Sequence, residues 1–359
     1  MVAVIGAGIA GAACARTLFL AGHSLHVFDK SRGPGGRLAT RRVEWVDQAG
    51  QACTTRFDHG GIGITAHSEV FQAFLDLAVS ADWLADWKPT LAADSLPLED
   101  GSRLYVPTPD MPSLCRRLLD EVSATWSFAV DGLHKSPRGW QVEAAGERYP
   151  VQFDAVVLAL PPAQAVPLLS PHRRDWAGYA AATAMQPCWT LMGIAAAPEP
   201  ALAWELARPP TGPLAWVMRN EARPGREPAH SQTHWVVHAR ADWSRLHLEQ
   251  PAAWVQQQMQ TALDDWLGRT VSWQHSVLQR WRYALPPAHR AAASESCWWD
   301  AAQGLGVCGD FLGGAGVEGA WLSAQSLCAA LLQRESVAAA EITPFAAHHA
   351  DHAAKHRAA

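Results

Sequence analysis

The sequence lacks the patterns of several common functional classes. Its seven cysteines are scattered, with no C-x-x-C pair and no cysteine–histidine spacing typical of zinc binding. We therefore expect no metal site, and scattered cysteines in so long a chain usually pack as small apolar side chains in a reducing compartment. The formal net charge of −5 leaves no excess of lysine and arginine to neutralise phosphates, so nucleic-acid binding is disfavoured.

Membrane and export signals are also missing from the sequence. No apolar run is long enough to span a bilayer. No lysine or arginine precedes Arg16, and no small-residue cleavage site stands out, so we interpret the apolar start as a buried strand and not as a signal peptide. We expect a cytoplasmic protein without a membrane or nucleic-acid partner, and the oligomeric state stays open.

What the chain does contain is a β-α-β pattern at its start. Residues 2–6 form a β-favouring run that ends in glycine, residues 8–21 form an Ala- and Leu-rich helix, and residues 25–29 form a second strand. The strands of such a unit are parallel and buried. The segments 154–160 and 305–310 have the same character, so the pattern predicts one parallel sheet assembled from distant parts of the chain.

The middle of the chain differs in composition, since it is rich in Trp and Pro. For 359 residues two domains, or one large domain with an insertion, are expected. We predict an α/β fold, with a Rossmann-like dinucleotide-binding domain and an inserted α+β substrate domain built on an antiparallel sheet. The predicted boundaries are 1–65, 101–162 and 300–335 for the first domain, 66–100 and 163–299 for the second, and 336–359 for a flexible tail. Further predicted elements are helices at 68–79, 110–121 and 250–267, and strands near 124–131, 139–145, 149–153, 188–195, 213–219 and 234–240.

The tail is rich in alanine and histidine. His352 and His356 would share one face of a helix, as metal ligands do, and His348 and His349 lie nearby. A frayed terminus is the commoner state of such a segment. We therefore expect no metal there.

The turn after the first strand fits the G-x-G-x-x-G pattern. Gly6 permits a tight turn, Gly8 allows a pyrophosphate to approach the backbone, and Gly11 allows close packing of helix and strand. Ile9 and Ala10 open the helix, whose N–H groups and dipole favour an anion. The pattern predicts a dinucleotide site, although it does not distinguish NAD from FAD.

Residues after the second strand extend this site. Asp29 stands about 20 residues beyond the glycine turn, where a carboxylate accepts hydrogen bonds from a ribose; an unliganded Asp beside a Gly-rich turn is the alternative. The loop that follows is glycine-rich and basic, which suits wrapping around a pyrophosphate. Its predicted cofactor-binding residues are Lys30, Arg32, Gly36 and Arg37.

These residues carry a family likeness. Asp29 followed by Gly35-Gly36-Arg37 resembles the FAD-binding start of the flavin amine oxidase superfamily. The longer string FDKSRGPGGRLATRR at 28–42 is similar, more narrowly, to renalase-type oxidases of bacteria. Similar segments follow in order up to about residue 332: Phe57-Asp58-His59-Gly60, Pro187-Cys188-Trp189, Asn220 with Arg223-Pro224-Gly225-Arg226, residues 235–238, residues 280–284, Cys308-Gly309-Asp310 and residues 317–323.

The resemblance implies a two-domain flavoprotein that binds FAD noncovalently, with the flavin at the domain border. Asp310 would contact the sugar-alcohol chain of the flavin, and Val317 and Glu318 would open a helix near its pyrimidine end. From the residues alone, a turn or cap residue is the alternative interpretation of Asp310. Glu318 more naturally favours the helix N-terminus, because a carboxylate facing a reduced flavin would repel it.

Renalase-like enzymes oxidise misreduced dihydro isomers of NAD(P) by hydride transfer to flavin N5, and O2 reoxidises the flavin and yields H2O2. The resemblance implies this activity, with no obligatory acid or base because the flavin supplies the chemistry. Two alternatives remain: a flavin amine oxidase acting on a small amine, and a non-catalytic flavin-binding redox sensor. The implied substrate pocket consists of His59, His238, Trp281, Arg282 and Tyr283.

The pocket residues also have structural interpretations. Trp281 and Tyr283 alternate on one strand face and suit a core, and His238 suits a satisfied structural histidine. We expect Trp189, Trp235 and Trp243 to be core residues.

One segment departs from the renalase pattern. Gly61-Ile62-Gly63-Ile64 stands where Ala-Gln-Tyr-Phe is usual. If this loop faces the flavin, the pocket is wider and less polar, which changes the substrate and leaves FAD binding untouched.

Overall fold

The structure, a computed structural model, describes residues 1–98, 103–198, 200–227, 231–286 and 295–332. Its strands in chain order are β1 (Val2–Ile5), β2 (Leu25–Phe28), β3 (Thr40–Val46), β4 (Ala52–Asp58), β5 (Leu84–Trp87), β6 (Leu104–Pro107), β7 (Ala124–Thr125), β8 (Gly132–Ser136), β9 (Gly139–Ala144), β10 (Glu147–Phe153), β11 (Ala155–Leu158), β12 (Gln186–Ala196), β13 (Leu206–Ala207), β14 (Leu214–Arg219), β15 (Gln232–Ala239), β16 (Trp273–Leu285), β17 (Trp298–Asp300) and β18 (Leu305–Val307). Its helices are α1 (Ile9–Leu20), α2 (Glu69–Ser80), α3 (Ser113–Leu118), α4 (Pro162–Leu169), α5 (Arg174–Ala182), α6 (Ala241–Leu246), α7 (Ala252–Leu267), α8 (Asp310–Gly313) and α9 (Gly316–Leu331), with a 3₁₀ turn at Asn220–Ala222. The predicted tail at 336–359, with its four histidines, lies outside the described residues.

A six-stranded sheet in the order β17-β18-β11-β1-β2-β7 forms one half of the molecule. Its strand pairs are parallel except for β17, which runs antiparallel at the edge. Side chains of β1 alternate: Val2 and Val4 pack in a core with α1, α2, α3 and α9, whereas Ala3 and Ile5 face α4, α5 and the β8–β10 sheet. The Rossmann-like domain with a parallel sheet is confirmed.

A five-stranded antiparallel sheet in the order β13-β14-β15-β12-β16 forms the other half. Helix α7 covers one face with Val255, Met259 and Leu263, which recur every four residues and are fully buried. The hairpin β3–β4 packs on the other face, through Trp45 and Phe57 among others. The antiparallel substrate domain is confirmed as part of the fold.

The hairpin β3–β4 interlocks the two halves. It lies within the predicted segment 1–65 of the dinucleotide-binding domain, yet its apolar side chains share a core with β12 and β15. The proposed domain boundaries therefore stay a prediction.

One expectation about local structure was wrong. The strand predicted near 124–131 is reduced to β7, because Ser127 has a φ of 56° and interrupts the extended backbone there. Helix α4 begins soon after β11, with Pro162 as its first residue, where the missing N–H of proline costs nothing.

Tryptophans serve mainly as core residues. Trp189 and Trp235 are buried, as expected, whereas Trp243 is half-buried. Of the residues that the structure describes, no helix has the length and apolar character needed to cross a membrane. Within the same residues, no group of three or more His, Cys, Asp or Glu could hold a metal ion.

Candidate functional site: a glycine groove joined to a histidine–tryptophan pocket

The glycine turn between β1 and α1 has two positions that admit no side chain. Gly6 has a φ of 105°, and a Cβ there would lie 2.5 Å from the carbonyl oxygen of Ala159. A Cβ at Gly11 would lie 1.8 Å from the carbonyl oxygen of Gly6. These glycines are therefore required for α1 to pack on the strands.

Gly8 has a different role, because space is open around it. It forms a bridge to Gly35, and the nearest atom to an added Cβ would be the Cα of Gly36, at 3.9 Å. The backbone N–H of Gly35 also donates to the carbonyl of Ala7 at 2.9 Å. The loop after β2 thus lies directly against the glycine turn and forms a groove with it.

The N-terminus of α1 opens into this groove. Gly8 is its N-cap residue, no side chain caps it, and its first turn carries no acidic residue. The N–H groups of Ile9, Ala10 and Gly11 therefore have no intrahelical partner. This is the arrangement that binds a phosphate or another anion.

Asp29 connects the two sides of the groove through hydrogen bonds. One carboxylate oxygen accepts a hydrogen bond from the N–H of Ala7 at 2.7 Å, and the other accepts one from the N–H of Ser31 at 2.7 Å. Each oxygen has a further lone pair that can accept a hydroxyl. The side chain is therefore placed both to hold the turn and to bind a ribose.

Basic residues of the loop differ in their surroundings. Lys30 and Arg32 are exposed, and within the described chain neither side chain makes a hydrogen bond or ion pair. Arg37 is turned inward: its guanidinium forms a two-pronged ion pair with Asp310, at 2.6 and 2.7 Å, and donates to the carbonyl of Ala284 at 3.2 Å. Arg37 thus joins the first loop, β16 and α8.

The first and last parts of the chain are in direct contact. Besides the Arg37–Asp310 ion pair, helices α1 and α9 pack together, with the sulfurs of Cys14 and Cys328 at 3.6 Å. Thr17 and Gln325 are hydrogen-bonded between the same helices. The loop after β2 and the segment that begins at Asp310 therefore lie together.

Glu318 lies in the first turn of α9 and is buried. Its carboxylate accepts hydrogen bonds from the backbone N–H groups of His67 and Ser68, at 2.8 and 2.7 Å, and contacts both of their side chains. This favours the helix-terminus interpretation over a cofactor contact. Val317 is half-buried beside it at the N-terminus of α9, where Ala315 makes no side-chain cap.

These features together fit a dinucleotide with a diphosphate. An uncapped helix N-terminus and an open glycine face one groove, and the loop beside them carries Lys30, Arg32 and Arg37. A second helix N-terminus, that of α9, belongs to the segment that follows Asp310. The donor set is that of an anion site and not of a metal site.

His59 and Trp281 form the centre of a second group of residues next to the groove. Their rings stack with centroids 5.1 Å apart and planes at 29°, and the indole N–H of Trp281 donates to the carbonyl of His59 at 3.2 Å. Burial lowers the pKa of His59 to about 4, and Arg41 adds to this effect. The Nδ1 atom of His59 has no hydrogen-bond partner among the described residues.

His238, on β15, lies beside His59. Burial lowers the pKa of His238 to about 3, assisted by the charges of Arg223 and of His59. Its Nε2 is buried and lacks a partner within the part of the chain that is described. Two neutral imidazoles, each with a buried nitrogen that has no partner among the described residues, therefore lie close together, and His59 stacks on Trp281. Tyr283, on the same strand β16, is half-buried.

The expectation that Arg282 lines this pocket does not match the structure. Arg282 is exposed and pairs with Glu249, with an Nη2–Oε2 distance of 2.9 Å, and Arg280 binds the same carboxylate at 3.1 Å. The physical reason is strand alternation: residues 280 and 282 face away from the side on which Trp281 meets His59.

An ion cluster behind the pocket was not anticipated from the sequence. Asp58 is buried at the end of β4, and its carboxylate binds Arg223 at 3.1 Å and Arg226 at 2.6 Å. Burial acts to raise the pKa of Asp58, but the two guanidiniums outweigh it and hold the pKa below its usual value. Burial lowers the pKa of Arg223 to about 10, so it stays charged at neutral pH.

Neighbouring groups fix this cluster in place. Thr40 donates to Asp58 at 2.6 Å, and the side-chain oxygen of Asn220 accepts from the N–H of Asp58 at 2.9 Å. Arg223 donates to the carbonyls of Gly61 and Ile62. The unusual loop at 61–64 thus meets Arg223 through its backbone. The sequence signal for the cluster was the Arg-Pro-Gly-Arg turn, which the resemblance included without a role.

Comparison with known proteins supports the fold. Residues 4–77 match the family model of an NAD(P)-binding Rossmann-like domain. Putrescine oxidase bound to putrescine is 13% identical, with a TM-score of 0.63 over 93% of this chain and 99% of that one. Cyclohexylamine oxidase from Brevibacterium oxydans IH-35A is 12% identical, with a TM-score of 0.62 over 92% and 98%. A protein from Exiguobacterium sp. 255-15 assigned as a protoporphyrinogen oxidase is 13% identical, with a TM-score of 0.67 over 93% of this chain and 99% of that one.

A curated sequence relative matches part of the chain. It is the tRNA 5-methylaminomethyl-2-thiouridine biosynthesis bifunctional protein MnmC of Magnetococcus marinus, 29% identical over 207 residues, which cover 48% of this chain and 31% of the relative. The match thus spans about a third of the relative's length. Together these likenesses show that the chain has the fold of the flavin amine oxidases, with a Rossmann-like dinucleotide-binding domain at its start.

Proposed function

We propose that this protein is an FAD-dependent oxidase of renalase type, which oxidises misreduced dihydro isomers of NAD(P). The observation that carries the proposal is the continuity of the two parts of the site. Arg37 contacts Asp310 on one side and the carbonyl of Ala284 on the other, and Ala284 is three residues from Trp281. A cofactor in the glycine groove would reach the His59–Trp281 pair past these contacts of Arg37.

The chain's own residues would hold the cofactor noncovalently. The N-terminus of α1 would bind the diphosphate, and Asp29 would bind a ribose. Lys30, Arg32 and Gly36 would contact the cofactor from the loop after β2. FAD supplies the redox chemistry, since it accepts a hydride and returns the electrons to O2. The protein contributes binding, orientation and exclusion of water.

The pocket suits a flat, uncharged ring. Trp281 offers an aromatic face, and His59 and His238 are neutral at physiological pH. A dihydronicotinamide gives up a hydride without a protein acid or base, which fits a pocket in which His59 and His238 are both neutral. An RNA substrate, as in the name of the curated relative, is disfavoured by the net charge of −5.

Amine oxidation is the second candidate, because the putrescine and cyclohexylamine oxidases share the fold. A flavoprotein without catalysis is the third. The neutral imidazoles and buried arginines provide no negative charge to bind an ammonium, so they favour the dihydronicotinamide.

The absorbance spectrum of the purified protein is the first test. We expect a yellow protein with the absorption of oxidised flavin, bleached within seconds on anaerobic mixing with 2- or 6-dihydro-NAD(P), and H2O2 on return to air. A panel of small amines serves as the control. A colourless protein, or a flavin that none of the dihydro isomers reduces, would overturn the proposal; bleaching by amines alone would select the second candidate.

A further inference from the structure

The buried ion cluster next to the pocket carries more positive than negative charge. Arg223 and Arg226 both bind the carboxylate of Asp58, so one positive charge is in excess. The side chains of Asp58 and Arg223 are 1% and 0% exposed. Water therefore screens this charge weakly, and its field extends into the neighbouring pocket.

The contacts of Arg223 hold its charge beside the pocket. Its guanidinium donates to the carbonyls of Gly61 and Ile62, and lies over the ring of Trp87 at 5.3 Å. These contacts prevent it from turning away. The charges of Arg223 and of His59 both act on His238, and the ring of His59 stacks on Trp281.

We propose that Arg223 sets the charge selectivity of the pocket: with Asp58 and Arg226 it repels cationic ligands and admits uncharged or anionic ones. The inference rests on the proposed substrate site and deepens it. It assigns Arg223 a specificity role that acts through the field and through the histidines, and it makes Arg223 a positioning residue and not a catalytic one.

The charges that act on the two histidines agree with this assignment. Arg41 and Asp58 act on His59 with opposite signs, whereas Arg223 acts on His238. Both imidazoles are held neutral, so neither offers a negative charge or becomes a second cation. A protonated amine entering the pocket would meet the excess positive charge, and the carboxylate of the cluster, that of Asp58, is already bound by both arginines.

The structure suggests a variant that removes the charge of Arg223 without leaving the Asp58 carboxylate unpaired. In Arg223→Met, Asp58 keeps Arg226 at 2.6 Å, so the cluster becomes a neutral pair. A buried pair is far less costly than a lone buried charge. Arg223→Lys is the matched control, since it retains the charge at the same position.

The test compares two ligands of nearly equal shape, nicotinamide and the cation N1-methylnicotinamide, by isothermal titration calorimetry of the purified full-length protein. For the wild type we expect nicotinamide to bind at least tenfold more tightly. Arg223→Met should reduce this ratio about tenfold, the order expected for one unit charge in a partly screened interior. Arg223→Lys should keep the ratio within about threefold of the wild type.

Several results would overturn the inference. They are equal or tighter binding of the cation by the wild type, no binding of either ligand, or an unchanged ratio in Arg223→Met. If Arg223→Met does not fold, Arg226→Met removes the same excess charge, and an unchanged ratio in that variant overturns the inference equally. The titration needs no flavin reduction, so failure of the proposed oxidase activity is distinguished from failure of this inference.

Discussion

At the scale of single residues, the pocket depends on groups whose ionisation burial controls. Asp58 is stabilised by two arginines and a threonine hydroxyl, which offset the cost of removing a carboxylate from water. His59 and His238 have no such partner for a charged ring, so both stay neutral. The same burial makes stability depend on pH.

The free energy of unfolding should fall as the pH drops below about 6.5. Both histidines have a pKa in the folded state, about 4 and about 3, well below the unfolded value near 6.5. The unfolded chain therefore takes up protons first, and each histidine costs about 1.4 kcal/mol per pH unit in that range. Above the unfolded pKa the effect is absent.

Urea denaturation at pH 4.5 to 7 measures this slope. His238→Gln should reduce it by about 1.4 kcal/mol per pH unit relative to the wild type. The same change at His23, outside the cluster, serves as the control. An identical slope in wild type and His238→Gln would show that His238 is not buried in its neutral form.

At the scale of elements, the start of α1 and the alternation of β16 determine what faces the site. Helix α1 presents three backbone N–H groups because its N-cap is a glycine without a side chain. Strand β16 places Trp281 against His59 and turns Arg282 to Glu249. The geometry of one turn and of one strand thus separates binding residues from surface residues.

Gly8→Ala should separate binding from folding. A Cβ at Gly8 meets only the Cα of Gly36, at ordinary contact distance, but occupies the groove expected to take the diphosphate. We expect the thermal midpoint of the flavin-free protein to change little, and the affinity for FAD to fall at least tenfold, as measured by fluorescence titration.

Gly33→Ala is the matched control in the loop after β2, because nothing lies within 4 Å of an added Cβ there. It should bind FAD like the wild type. Full FAD affinity in Gly8→Ala would place the diphosphate elsewhere.

At the scale of the whole molecule, one ion pair joins residues 273 positions apart in the sequence. Arg37 and Asp310 connect the loop after β2 to the segment after β18, and the side chain of Asp310 is only 3% exposed. The sheet order places β1 and β18 on either side of β11, so these loops emerge at the same edge. The contact between these two loops is therefore a property of the assembled sheet.

A double-mutant cycle should detect this connection. Arg37→Met and Asp310→Asn should each destabilise the flavin-free protein, and their effects should be non-additive by about 1–2 kcal/mol in the free energy of unfolding. Arg37→Met combined with Asp175→Asn, at an unconnected site, should be additive. A coupling energy near zero for Arg37 and Asp310 would mean that the ion pair does not hold the two segments together.

Much of the fold was predictable because its signals are local. The β-α-β start, the glycine turn and Asp29 depend on periodicity and spacing within about 30 residues, and the structure shows the strands and helix that they predict. The apolar strands at 154–160 and 305–310 carry the same local signature, and both are buried neighbours in the parallel sheet.

The site was less predictable because its contacts join distant segments. The sequence by itself determined which residues were chemically able to act: glycines that admit a phosphate, arginines, histidines and tryptophans. Only the tertiary structure decided their partners, placing Arg223 on Asp58, Glu318 on residues 67–68, and Arg282 outside the pocket. Ion pairing and burial depend on which segments meet in space, and no spacing along the chain encodes that.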